Sequence, residues 1–179
     1  MLNTQMLSTM ILILILLVPI TGLITYYDVR FRRIPNAFVL ATLVSGLIIN
    51  VTDNGWSGAV TSLKGGALAF VLMLFLHIFS AMGAGDVKLF GAIGSVIGVG
   101  SVFQTFLVVL ITGGVLALIV SIRNGKLRET WNRVLLIFIN LFSGWQPPRF
   151  PAPVDRQATI PYGVAITVGT LISLTMSHY

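Results

Sequence analysis

The chain has 179 residues, 56% of them hydrophobic and only 9% charged, with a mean hydropathy of +0.97. Soluble domains carry about a quarter charged residues, so this composition excludes an ordinary soluble enzyme and points to one compact, all-α, polytopic membrane domain over residues 1–179. The net charge of +6 would suggest nucleic acid in a soluble protein, but in a membrane protein basic residues report topology, and no nucleic-acid partner is expected.

In chain order, "MLSTMILILILLVPITGLITYY" supplies the first span, Met6–Tyr27. It has no basic n-region and no small-residue cleavage site, so it reads as a retained span and not a signal peptide. Ala37–Val51 and Gly65–Met82 are the next two spans, joined by an outer loop, "VTDNGWSG", in which a turn accounts for Asp53. Leu89 to Val120 is 32 residues without a charge. As one helix it would run about 48 Å, too long for a single crossing of about 30 Å. The glycine-rich "IGVGS" divides it into spans at Val87–Gly98 and Ser101–Ser121. "TWNRVLLIFINLFSGW" has too short an apolar centre to span and is bracketed by Trp131 and Trp145. It predicts a short interfacial helix on the cytoplasmic side. A proline-rich linker, "QPPRFPAPVDRQ", completes residues 129–157, and Ala158–Met176 is the last of about six spans.

Charge placement supports this division. With the N-terminus outside, ten of the 11 lysines and arginines fall on the cytoplasmic side and only Lys64 outside, as the positive-inside rule requires. Both termini then lie outside. The basic cytoplasmic surface fits contact with anionic lipid.

The chain has five acids. Asp53 belongs to the outer loop, and Glu129 and Asp155 lie among cytoplasmic arginines. Asp28 ends the first span and Asp86 begins the fourth, so both sit at the cytoplasmic boundary. Singly, each has a plain reading: Asp28 as a helix-end residue beside arginines, Asp86 as the N-cap of a helix starting at Val87. Together, two ionisable groups at one depth and on one face point to function. Close carboxylates disfavour each other's ionisation, so the pair holds one proton over a broad pH range. One protonated and one ionised carboxyl is the equipment of an aspartic protease, which needs no metal, no cofactor and no nucleophilic side chain. Gly83 and Gly85 are expected to let the backbone bend and to leave space beside Asp86 for a peptide strand. His77 reads as a packed, hydrogen-bonded histidine. The absence of cysteine excludes disulfides, thiolate catalysis and Cys-ligated metal.

Three motifs resemble the type IV prepilin peptidases, a family of GxGD intramembrane aspartic proteases. "GAGDVK" has the GxGDxK form. "DVRFRRIPN" has an Asp, five residues, then Ile34, Pro35 and Asn36. "IPYGVAI" is similar to the family's C-terminal signature through Pro161, Tyr162 and Gly163. The resemblance implies Asp28 and Asp86 as the catalytic pair. It implies supporting roles for the three residues of each flanking motif and for Gly83 and Gly85. Lys88 would tune Asp86, meet substrate or mark the cytoplasmic face. The implied reaction removes the leader of a prepilin or pseudopilin helix at the cytoplasmic face of a bacterial inner membrane. Longer family members carry a cysteine-rich zinc insertion that accompanies N-methylation. This chain looks like the short form associated with Flp/Tad pili, a protease without the methyltransferase.

Other readings stay open on sequence. "YYD" and "GAGD" superficially resemble the presenilin and signal-peptide-peptidase pair, but no Pro-Ala-Leu follows. A small cation- or proton-coupled transporter would use the same two aspartates as an ion site. A non-catalytic assembly subunit would need neither.

Overall fold

The computed structural model describes residues 2–31, 33–78, 82–125 and 162–176, together with Asn132 and Leu135. Its helices are α1 (Leu2–Phe31), α2 (Asn36–Ile78), α3 (Ala84–Arg123) and α4 (Tyr162–Met176). The greater part of residues 129–157, including the expected interfacial helix and linker, lies outside the described residues, as do Glu129, Asp155 and Pro161.

Two of these helices are not straight rods. In α2 the backbone leaves helical geometry at Gly55, with φ 58° and ψ −135°, and in α3 at Gly98, with φ 71° and ψ 164°. The chain doubles back at both. Phe90 and Phe106, eight residues either side of Gly98, stack with ring centroids 6.1 Å apart, where an unbroken helix would hold them about 24 Å apart. A Cβ on Gly58 would overlap the carbonyl of Asn50. The division expected at "IGVGS" therefore falls at Gly98. The expected outer loop is shorter than the sequence suggested, because helix continues on both sides of Gly55 and carries the exposed Asp53 with it.

A break inside an apolar helix strands carbonyls that have no following amide to bind, and hydrocarbon offers them no water. Side chains of α2 supply the missing donors. Asn50 Nδ2 donates to the carbonyls of Ser95 and Val96, each at 3.1 Å, and Ser62 Oγ donates to Ser95 at 2.8 Å. Such reach requires close helices, and the facing residues are small. A Cβ on Gly46 would stand 2.7 Å from the Val96 nitrogen, and one on Gly65 would strike the carbonyl of Gly94. Small residues at helix crossings are the usual means of close packing in membranes.

α4 runs antiparallel to the second half of α3, with Thr105 and Ser173 hydroxyls 2.9 Å apart and Val109 against Gly169. It also runs antiparallel to α1, where Thr25 Oγ1 donates to Thr167 Oγ1 at 3.1 Å. Met73, Phe90, Ile93 and Ile166 form the centre of the core.

The most apolar 18-residue windows of α2 and α3, with mean hydropathy 1.9 and 2.6, are only 22% and 28% buried within the protein. The core helix of a soluble domain would be mostly buried. Long apolar helices that turn most of their surface outward need hydrocarbon around them, as the sequence leads one to expect of a membrane all-α protein.

Gly98 occupies a backbone region essentially reserved for glycine, and a Cβ there would press within 3.1 Å of Thr61. Gly98→Ala is expected to cost about 1–3 kcal/mol, read as a lower thermal unfolding midpoint in detergent. Gly100→Ala, where a Cβ meets nothing within 4 Å, leaves the midpoint in place.

Candidate active site

Asp28 lies in the last turn of α1, yet it is only 8% exposed. What covers it is the start of α4. Gly163, the second residue of that helix, donates its amide to Asp28 Oδ2 at 2.9 Å. First-turn amides have no partner within their own helix, and the positive end of the helix dipole favours a carboxylate there. The approach also depends on glycine: a Cβ at 163 would stand 2.7 Å from Oδ2 and 3.1 Å from the carboxyl carbon. The third motif therefore does more than align a span, because it holds Asp28 by a backbone donor.

Asp86 is likewise 8% exposed. The helix begins at Ala84, with Gly83 as N-cap, so Asp86 is its third residue and not the N-cap expected from sequence. Its carboxylate reaches back to accept the Gly83 amide at 3.1 Å, as an acid at that position does in a capping box. Neither Gly83 nor Gly85 has positive φ, and Gly83 is extended at φ −77°, ψ 153°. The expectation that these glycines serve a sharp bend is corrected: that conformation is open to any residue. Their importance is spatial. A Cβ on Gly83 would sit 3.2 Å from Asp86 Oδ2, and Gly85 faces the Ile34 side chain, 3.6 Å from where its own Cβ would be.

That contact joins the first and second motifs. α1 ends at Phe31 and α2 begins at Asn36, where the Pro35 carbonyl accepts the amide of Phe38 at 3.1 Å. Proline stops one helix and its carbonyl starts the next, which leaves Ile34 between them, against Gly85. Asn36 itself is exposed.

The three motifs thus meet at one end of the bundle, opposite the turns at Gly55 and Gly98. Among the described residues, Asp28 is the side chain whose charge bears most on Asp86. Asp86 in turn acts on Tyr162, whose ring packs over Gly113, 3.7 Å from where a Cβ would be. Lys88 points out into the surroundings and is exposed. His77 is hydrogen-bonded, as expected, through Nδ1 to the Met82 carbonyl at 2.7 Å. Sequence reasoning did not connect it with the acids, because it lies nine residues before Asp86 in no recognisable pattern. Among the described residues no three His, Asp or Glu side chains gather as a metal site. Two carboxyls that feel each other's charge titrate as a pair, an arrangement able to activate water with one group and polarise a carbonyl with the other.

Comparison with known proteins agrees with the motifs. The chain is 35% identical over 116 residues to a prepilin leader peptidase/N-methyltransferase of Legionella pneumophila, an alignment covering 60% of this chain and 39% of that protein. It therefore matches about two-fifths of the length of that curated relative. No solved structure gives a significant match. A sequence model of the type IV leader peptidase family matches residues 6–118, which include Asp28, Ile34, Pro35, Asn36 and the whole Gly83–Lys88 motif. With more than half its length so matched, the chain belongs to the type IV leader peptidase family.

Proposed function

We propose that this protein is an aspartic endopeptidase that removes the leader of a prepilin or pseudopilin at the cytoplasmic face of a bacterial inner membrane. The observation that carries the reading is two buried carboxylates at one end of the bundle, each held by the amide of a glycine, Gly163 for Asp28 and Gly83 for Asp86. Family membership supplies the reaction class and, with it, a substrate of the prepilin type.

In this reading one carboxylate takes a proton from water while the other, protonated, hydrogen-bonds the scissile carbonyl. Water oxygen adds to the carbonyl carbon as the second carboxyl passes its proton to the carbonyl oxygen, giving a tetrahedral diol. The first carboxyl then gives its proton to the leaving nitrogen as the C–N bond breaks, the second takes one back from a diol hydroxyl, and the products leave as an acid and an amine. A prepilin joins a short basic leader to an apolar helix, so its cleavage site lies at the membrane boundary. In this reading Asp28 and Asp86 lie at that depth, with six crossings, both termini outside and the basic segments in the cytoplasm; the placement of the basic residues supports it. The first motif follows the first span directly, and no cysteine accompanies it, which supports a Flp/Tad-type substrate in this reading. Tyr162 supports the site as the first residue of α4. Exposed Lys88 is available to substrate or lipid headgroups.

Leader removal from a co-expressed, tagged Flp-type prepilin tests this. Asp28→Asn and Asp86→Asn keep the shape and remove the ionisable acid. Each is expected to lower cleavage by at least about 10³-fold at matched membrane levels; full activity of either variant would sink the dyad. Ion flux in proteoliposomes by a wild type that cleaves nothing would favour a transporter instead.

A Gly163→Ala variant should lose about tenfold or more in kcat, because its methyl group forces the Asp28 carboxyl out of place. The rate of purified enzyme should follow a bell-shaped pH profile: at low pH both carboxyls are protonated and no base remains, and at high pH both are ionised and no acid remains. A single-limbed profile would argue against a shared proton.

A further inference from the structure

We propose that His77 is a positioning residue for Asp86, acting through the single peptide group that joins Met82 to Gly83; this rests on the reading of Asp86 as catalytic. A carbonyl oxygen only accepts, so in the 2.7 Å contact the His77 Nδ1 carries the proton and donates to Met82 O. The nitrogen of that same peptide bond is Gly83 N, which donates to Asp86 Oδ2 at 3.1 Å. The peptide unit is planar, so a donor fixed at its oxygen sets the direction in which its N–H points. A donor on the oxygen also polarises the amide and strengthens its N–H as a donor.

On one side of this peptide Met82 packs against the core, and on the other the Gly83 carbonyl accepts the amides of Asp86 and Val87. Gly83 itself has no side chain and is exposed, with extended backbone, so among the described residues His77 is the side chain that fixes the oxygen of the Met82–Gly83 peptide. His77 is itself set in the last turn of α2, four residues after the fully buried Met73. The relay therefore runs from the rigid packed end of α2, across one peptide, to the carboxylate at the head of α3.

The test measures cleavage kinetics of a prepilin substrate by purified, full-length enzyme carrying His77→Phe, His77→Asn or His77→Gln, beside Asp86→Asn. Phenylalanine keeps the ring and removes the donor. Asparagine places an amide N–H near the position of Nδ1, whereas glutamine carries it one bond further out. Expected are a kcat about tenfold lower with KM unchanged for His77→Phe, the effect of losing one hydrogen bond. Recovery to within about threefold of wild type is expected for His77→Asn, but not for His77→Gln. Equal kcat in His77→Phe and wild type would overturn the proposal, as would equal activity of the Asn and Gln variants. If His77→Phe does not accumulate in membranes, the Asn and Gln pair decides alone. An active Asp86→Asn variant would instead overturn the reading of Asp86, a result distinct from failure of the His77 relay.

Discussion

A carboxylate at the edge of a hydrocarbon layer needs donors, and in a bundle of helices the backbone offers them in few places. Interior amides are committed to carbonyls four residues back, and only those of the first turn are open. Both acids are found at such ends. Asp86 folds back onto the amide just before its own helix, while Asp28, at the far end of α1, borrows the first-turn amide of α4. The remaining features of this end of the protein follow from bringing two helix starts to within reach of the two acids.

That convergence is set by packing some distance away. The turns at Gly55 and Gly98 fold α2 and α3 back on themselves, so the start of α2, the start of α3 and the start of α4 all come to one end. The close fit of Gly46, Gly65 and Gly94 lets backbones approach, and Asn50 and Ser62 satisfy the carbonyls that the Gly98 turn releases. In an apolar solvent, unsatisfied carbonyls would be costly enough to deny the chain such a turn. Polar side chains in the middle of the bundle thus serve the site indirectly, by permitting the reversals that assemble it.

Much of this was legible in the sequence. A long uncharged run that no bilayer can accommodate as one helix had to turn at its glycines, and it does so at Gly98. Proline is disfavoured inside a helix in any sequence, and Pro35 stands between the end of α1 at Phe31 and the start of α2 at Asn36. The glycines of "GAGD" were misjudged because glycine is ambiguous in sequence: it serves either a strained φ or a close approach. Gly98 serves both, with positive φ and Thr61 close by, while Gly83 has an ordinary φ and serves only approach. Asp86, for which an N-cap was one plain reading, is the third residue of the helix and accepts the amide of the Gly83 cap, because an acid suits both places near a helix start while bonding different amides.

By itself, the sequence determined the membrane class, the helical breaks, the motif family and the identity of the two outlying acids, because hydropathy, charge and glycine act locally along the chain. Only the tertiary structure decided which amide each acid accepts, why residue 163 has no side chain, how Ile34 meets Gly85, and that His77 bonds the carbonyl of the peptide whose amide, that of Gly83, reaches Asp86. These relations join residues from three to 135 positions apart. Hydrogen-bond partners of this kind depend on distance and direction in space, which the order of residues along a chain does not record.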